Sequence, residues 1–85
     1  MELRHLRYFV MAAEEANISR AAARLNVSQP AVSRQIKDLE EELGLPLFVR
    51  EPNGLSLTEG GAAALAHARE ILRQSNTMVD AMEAL

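Results

Sequence analysis

The segment from residue 26 to residue 44 constrains the fold more than any other part of this chain, because residues that start and stop helices stand at both of its ends. Ser28 is a candidate N-cap, and Pro30 suits the first helical turn, where a missing backbone N–H costs little. Gly44 is a typical residue just beyond a helix C-terminus. The apolar residues between them recur with helical spacing: Val32, Ile36, Leu39 and Leu43. The sequence therefore predicts a helix over residues 29–43 with one buried face.

Two helices are predicted before this one. Apolar residues at positions 6, 9, 10 and 13 lie on one face of a helix over about residues 3–15. Asn17 and Ser19 are alternative N-caps for a second helix, which is predicted to end near Leu25. Asn26 follows, and asparagine tolerates the left-handed conformation that lets a chain leave a helix abruptly. The second and third helices, joined by so short a turn, form a predicted helix-turn-helix.

A hairpin and a long helix complete the chain. Residues 47–49 and 55–57 are predicted to be short strands, and the Pro-Asn-Gly sequence between them suits a tight turn. Thr58 is a candidate N-cap for a helix that continues to the end of the chain. We therefore predict a mainly α fold, with a winged helix-turn-helix over residues 1–57 followed by a long helix over residues 58–85.

Charge is unevenly distributed along the chain. Nine Lys and Arg residues against twelve Asp and Glu residues give a net charge of −3 and a pI near 5.3, which argues against a nucleic-acid ligand. Residues 1–37, however, hold six basic and three acidic side chains, and residues 18–37 hold no acid. Because exposed charges more than about 8–10 Å apart are screened from each other, a local positive surface can act on an acidic chain.

The helix over residues 29–43 has a polar face opposite its apolar stripe. At about 100° per residue this face holds Gln29, Pro30, Ser33, Arg34 and Lys37. Gln can pair with adenine and Arg with guanine, so one interpretation is a recognition helix that enters a DNA major groove. The alternative is the solvated face of an ordinary amphipathic helix. The absence of acids from the first nine residues of the helix favours groove insertion.

Other charged residues flank this polar face. Arg20 and Arg24 lie one turn apart on the second helix, which in a helix-turn-helix crosses the sugar–phosphate backbone. Arg50, just before the hairpin turn, is predicted either to reach DNA or to fix the hairpin to the rest of the domain. The three glutamates at positions 40–42 are interpreted as a solvated acidic surface, and pairing with basic groups of another segment is the alternative.

The last helix has an apolar seam with three- and four-residue spacing: Leu65, Ala68, Leu72, Ser75, Val79 and Met82. The seam can fold back on its own domain or pair with the same helix of a second chain. Its length exceeds what so small a domain can cover, so we predict a homodimer whose interface contains the five seam residues other than Ser75.

Several classes of function are disfavoured. The chain has no cysteine, and its two histidines, His5 and His67, are isolated, so no metal site and no cofactor are predicted. Neither a Gly-x-Ser-x-Gly elbow nor a phosphate-binding glycine loop is present, and we predict no enzymatic activity. No apolar run approaches the roughly 20 residues that span a bilayer, and we expect a cytoplasmic protein.

A protein-interaction module that docks partners on the long helix and does not contact DNA is the rival hypothesis. The acidic composition of residues 38–85 favours it slightly, whereas the acid-free stretch over residues 18–37 opposes it. Salt-dependent binding to promoter DNA separates the two hypotheses.

Three stretches, MELRHLRYFV, AAARLNVSQPAVSRQIKDLEEELGLPLFVR and LTEGG, resemble the N-terminal DNA-binding region of LysR-type transcriptional regulators. The resemblance covers essentially the whole chain. It implies a bacterial, sequence-specific binder of double-stranded promoter DNA that dimerises through antiparallel linker helices. Full-length members carry an effector-binding domain and form tetramers. That domain is absent here, so a small-molecule effector is expected only for the missing part.

The resemblance also implies roles for individual residues. Contacts to bases and nearby backbone are implied for Gln29, Pro30, Ser33 and Arg34. Contacts to the DNA backbone are implied for Ser28, Lys37 and the wing arginine, Arg50. Many relatives carry Arg or Lys at the wing tip, which reaches the minor groove. Here the tip is Glu-Pro-Asn-Gly around Asn53, so a weaker minor-groove contact is expected.

Overall fold

A computed structural model describes residues 1–85 and contains four helices and one β-hairpin. In chain order the elements are α1 (Leu3–Glu15), α2 (Ile18–Leu25), α3 (Gln29–Leu43), β1 (Phe48–Glu51), β2 (Gly54–Leu57) and α4 (Glu59–Glu83). This order confirms the predicted mainly α fold with a hairpin wing, and α1 and α3 have the predicted bounds. The strands are displaced from their predicted positions because Leu47 precedes β1 and is buried in the core.

The ends of the helices are set by local side-chain and backbone conformations. Asn17, not Ser19, is the N-cap of α2, since its Oδ1 accepts a hydrogen bond from Arg20 N–H over 2.8 Å. Asn26 and Gly44 end α2 and α3 in the left-handed conformation, as predicted. Ala16 ends α1 in the same conformation, at φ 52°, which the sequence did not indicate because alanine rarely adopts it.

The hairpin, here called the wing, is docked on the turn between α1 and α2. Its strands are antiparallel, with Phe48 opposite Leu57 and Glu51 opposite Gly54. The backbone N–H of Leu55 donates to the carbonyl oxygen of Ala16 over 2.9 Å. Gly54 has a φ of 148°, and a Cβ at this position would overlap the same carbonyl oxygen. Glycine is therefore required where the wing meets the body.

Two adjoining clusters form the core. The first joins the helix-turn-helix to α1 and the wing and consists of Ala12, Ala21, Ala22, Val32, Ile36 and Leu55. The second joins α1 and α3 to α4 and consists of Leu6, Phe9, Leu39, Leu47 and Ala68. The small alanines of α2, Ala21 and Ala22, are buried and allow this helix to approach its neighbours closely. The clusters orient α2, α3 and the wing relative to one another.

The long helix α4 is attached to the body at its start. Thr58 Oγ1 accepts a hydrogen bond from Gly61 N–H over 2.9 Å and donates one to the carbonyl of Pro46 over 2.7 Å. A Cβ on Gly61 would overlap the carbonyl oxygen of Leu47, so this glycine permits a close backbone approach. After Ser75 every residue of α4 is exposed. No helix is both long enough and apolar enough to cross a membrane.

Candidate nucleic-acid interface

The N-terminal half of α3 presents a polar surface to solvent. Its stripe of Val32, Ile36 and Leu39 is buried, which turns the opposite side of the helix outward. We call that side the recognition face and define it by Gln29, Pro30, Ser33, Arg34 and Lys37. Ser33 is half-buried and the other four are exposed. The structure therefore brings these five predicted residues onto one surface.

Ser28 fixes the start of α3 and adds a donor beside the recognition face. Its Oγ accepts a hydrogen bond from Ala31 N–H over 3.2 Å, and the residue is exposed. The hydroxyl keeps its own hydrogen to donate, so one side chain can cap the helix and contact a phosphate at the same time. Pro30 has no N–H and that of Ala31 is paired with Ser28, so the backbone N–H of Gln29 is the donor of the first turn that remains for an anion.

A concave surface lies between the recognition face and the wing. A cavity of about 380 Å³ is lined by residues from both, among them Ser33, Lys37 and Arg50. A second hollow of about 200 Å³ is lined by residues that include Ser19, Gln29 and, again, Arg50. The wing thus places the guanidinium-bearing Arg50 beside the recognition face, although the two segments are far apart in the sequence.

The wing tip carries no basic residue. Pro52 and Asn53 form the turn between the strands, and Asn53 is exposed. Glu51, next to the turn, accepts a hydrogen bond from Ser56 Oγ over 2.8 Å across the hairpin. The tip therefore presents an amide and a carboxylate where a cation would favour the narrow minor groove.

Arg20 and Arg24 are exposed on α2, and both pair with Glu15 at the end of α1. Arg24 Nη1 donates to Glu15 Oε2 over 2.8 Å, and Arg20 Nε lies 3.6 Å from Glu15 Oε1. The hydrogen bond with Glu15 raises the pKa of Arg24 above its ordinary value. Each guanidinium keeps unpaired N–H groups, so both can still contact phosphate. The carboxylate offsets part of their charge.

The glutamates at the end of α3 correct the sequence interpretation, because two of the three form specific contacts and are not merely a solvated surface. Glu40 Oε2 accepts a hydrogen bond from Leu47 N–H over 2.8 Å. Glu42 Oε1 lies 2.8 Å from the amino group of Met1. These contacts tie the loop after α3 and the start of α1 to the C-terminal half of α3. Glu40 and Glu42 therefore help to hold α3 in place, and they do so at the end of the helix that is distant from the recognition face.

The apolar seam of α4 divides into a covered part and an exposed part. Ala68 is only 3% exposed and lies in the core of its own chain, with Leu65 and Leu72 packed partly against the same cluster. Ala68 therefore does not belong to a surface that a second chain can reach, which corrects its predicted interface role. Val79 and Met82 are 50% and 59% exposed. Their interface role stays a prediction.

Sequence reasoning missed the acidic partners of the basic residues. Glu15 holds Arg20 and Arg24, and Asp38 Oδ1 lies 3.3 Å from Arg34 Nε. The spacing of Arg34 and Asp38, four residues apart on one helix, was an available signal. For Glu15 the signal was an acid at a helix C-terminus, where the helix dipole disfavours negative charge. No group of three or more His, Asp or Glu side chains is placed to hold a metal ion.

Comparisons with known proteins agree with this geometry. Residues 3–62 match the family described as "Bacterial regulatory helix-turn-helix protein, lysR family". The chain is 55% identical over 80 residues to the HTH-type transcriptional regulator TfdS of Cupriavidus pinatubonensis, covering 94% of this chain and 27% of that protein. It is 51% identical over 75 residues to the Hca operon transcriptional activator HcaR of Escherichia coli, covering 88% of this chain and 25% of that protein. The chain therefore spans about a quarter of the length of these curated relatives.

Solved structures of similar sequence share the whole fold. A CbnR_DBD–DNA complex is 44% identical, with a TM-score of 0.94 over 99% of this chain and 97% of that chain. A complex of BenM_DBD with catB site 1 DNA is 42% identical, with a TM-score of 0.94 over 99% of this chain and 94% of that one. Both are DNA-bound domains, and because the match covers 99% of this chain it includes α3, the wing and α4.

Proposed function

The chain belongs to the lysR family of bacterial regulatory helix-turn-helix proteins, and we propose that it binds double-stranded promoter DNA with sequence specificity. The family is one of transcription regulators, not of enzymes. The observation that carries the proposal is the recognition face, an exposed, acid-free half-helix that lies beside Arg50 of the wing. The recognition face is presented by a single α-helix, and the major groove of DNA is wide enough to admit one α-helix.

We assign reading of base edges to Gln29, Pro30, Ser33 and Arg34 in the major groove. The cations and hydroxyl around them contact the sugar–phosphate backbone: Arg20, Arg24, Ser28, Lys37 and Arg50. A side chain that reads bases must be accessible to the DNA. Arg34 meets this requirement, because 74% of its side-chain surface is exposed. The wing tip carries Asn53 and no cation, so we expect a weak contact between the tip and the minor groove. The main contribution of the wing to DNA binding is then the backbone contact of Arg50.

We further propose that the domain acts as a homodimer through the exposed half of α4. Val79 and Met82 supply apolar surface, and an apolar hollow of about 190 Å³ beside α4 is lined by residues that include Leu43 and Ile71. Two recognition helices then read half-sites roughly 34–36 Å apart. In this division residues 1–57 contact DNA and residues 58–85 pair the two copies, with Ala68 fixing α4 to its own body.

For the whole protein we propose a cytoplasmic transcription regulator. A small-molecule effector binds a domain outside this chain, and the full-length protein forms a tetramer. These assignments rest on the family and on the length of the relatives, of which this chain covers about a quarter.

A mobility shift on duplexes selected by the protein from a random-sequence pool tests DNA binding. The apparent affinity is expected to fall steeply with salt concentration, because binding to phosphates releases counterions. Arg34→Ala is expected to cost about 1–3 kcal/mol and to relax specificity at one base pair per half-site. Arg73→Ala, which removes the same charge from the outer surface of α4, is the matched control. Equal affinities for Arg34→Ala and the unmodified chain contradict the assignment, and an absence of salt-dependent DNA binding favours the protein-interaction alternative.

A further inference from the structure

Asp38 lies between the recognition face and the start of α1. Its Oδ1 is 3.3 Å from Arg34 Nε, and its Oδ2 is 4.0 Å from His5 Nε2. The exposed fraction of the side chain increases from His5 (14%) through Asp38 (36%) to Arg34 (74%). One carboxylate therefore faces a fixed ring on one side and the base-reading arginine on the other.

The position of the ring is set by the capping box of α1. Glu2 N–H donates a hydrogen bond to His5 Nδ1 over 3.0 Å. A ring nitrogen that accepts a hydrogen bond carries no proton, so the hydrogen of the neutral imidazole is on Nε2, which faces Asp38. The cap of α1 thereby holds His5 in place, and His5 presents a donor group toward the second oxygen of Asp38.

The atom by which Arg34 pairs with Asp38 matters for DNA recognition. Nε is the inner nitrogen of the guanidinium group, so both terminal nitrogens remain unpaired. These are the two nitrogens that bind O6 and N7 of guanine in a bidentate contact. A flexible arginine loses rotamer freedom when it binds a base, and an arginine already held at Nε loses less.

We propose that Asp38 is a positioning residue for base reading, holding Arg34 with its two terminal nitrogens directed away from the helix. The proposal rests on the proposed DNA-binding function. Asp38 also places a negative charge near the phosphates, which lowers affinity for DNA of any sequence. The first effect increases discrimination in favour of the cognate site, whereas the second lowers affinity for cognate and other sequences by the same factor.

A double-mutant cycle between Asp38→Asn and Arg34→Ala tests the proposal. The measured quantity is the affinity ratio between the selected duplex and duplexes with one base pair changed, and Arg34→Ala identifies the base pair concerned. Asp38→Asn is expected to reduce discrimination at that base pair about three- to tenfold, with equal or higher affinity for a shuffled duplex. In the Arg34→Ala background Asp38→Asn should leave this ratio unchanged.

Glu41→Gln is the matched control, because it removes one negative charge from an exposed position on the same helix. It is expected to raise affinity for selected and shuffled duplexes by the same factor. The proposal is wrong if Asp38→Asn behaves in the same way, or if its effect on discrimination persists without Arg34. A structural role would lower the melting temperature and weaken both duplexes together. If the unmodified chain does not distinguish selected from shuffled duplexes, the proposed function itself fails and this inference with it.

Discussion

Two surfaces of this chain face solvent for opposite reasons. On α3 the stripe of Val32, Ile36 and Leu39 is buried, with Val32 and Leu39 at 0% and 1% exposed, and the recognition face is what remains outside the core. Leu43, which was predicted to continue this stripe, is 41% exposed at the end of the helix. On the distal part of α4, after position 75, every residue is exposed, and the apolar seam is therefore left uncovered, with Val79 and Met82 at least half exposed. The first surface is polar because the core is complete, whereas the second is apolar because the body ends before the helix does.

The difference separates what one chain can do from what needs two. A polar face is stable in water, so the recognition face exists in a single copy of the chain. Burying an apolar side chain such as Val79 or Met82 gains roughly 1.5–3 kcal/mol, which favours cover by a second copy. In this view α3 reads the DNA sequence, while α4 sets the distance between two reading helices.

Gly61→Ala disturbs the packing of α4 on the body that carries α3, and it is expected to have the largest effect of the changes considered. The new Cβ overlaps the Leu47 carbonyl, so backbone must shift, and we expect a loss of about 2–3 kcal/mol in the free energy of unfolding. Gly60→Ala is the matched control, because its close contacts are with the exposed Leu45 side chain, which can move, and the distance from its Cβ to the nearest backbone atom, the Pro46 carbonyl oxygen, is an ordinary 3.7 Å. Denaturant unfolding measures both. Equal stabilities for the two variants contradict the close approach.

Val79→Glu tests the apolar surface without touching the recognition face. A charge in the seam should prevent pairing of the helices, and affinity for a duplex with two half-sites should fall by about two orders of magnitude or more. Sedimentation at micromolar concentration and mobility shifts measure the two effects. Thr77→Glu adds the same charge on the opposite side of α4 and should leave the dimer intact. A dimeric Val79→Glu variant would rule out this part of the seam as the interface.

Lys37→Ala tests the polar surface for backbone contact. It should weaken binding to selected and shuffled duplexes alike and reduce the slope of log affinity against log salt by about 0.9, the value for one phosphate contact. Arg24→Ala should have a smaller effect, because Glu15 already offsets its charge. Binding titrations over a range of salt concentrations distinguish these cases. A change in sequence preference for Lys37→Ala would place it among the base-reading residues instead.

Glu70→Gln is expected to have the smallest effect. Arg73 donates to Glu70 over 2.6 and 2.9 Å, and this pairing lowers the pKa of Glu70 below its ordinary value. Any stabilisation is therefore present at neutral pH and lost as the pH falls through the carboxyl range. Because the pair is exposed, we expect a change in melting temperature of less than about 1 °C at pH 7. A larger shift, or one that grows at low pH, would contradict this.

Much of the fold follows from local patterns. The bounds of α1 and α3, the caps Ser28 and Thr58, and the left-handed exits at Asn26 and Gly44 all depend on residues within one or two turns of each other. The recognition face follows for the same reason, since helical periodicity fixes which residues lie opposite a buried stripe. The strand ends were harder to predict, because contacts with α3 and α4 place Leu47 in the core instead of in the first strand.

The sequence by itself determined the elements, their order and the polar character of the recognition face, because these depend on spacing along one helix. Only the tertiary structure decided which charges are free. Glu15 meets Arg24 across a turn, Glu42 meets the amino terminus, and Arg50 arrives beside α3 from the wing. It also placed Ala68 in the core of its own chain. Contacts between distant segments depend on how helices pack, and no local pattern records that packing.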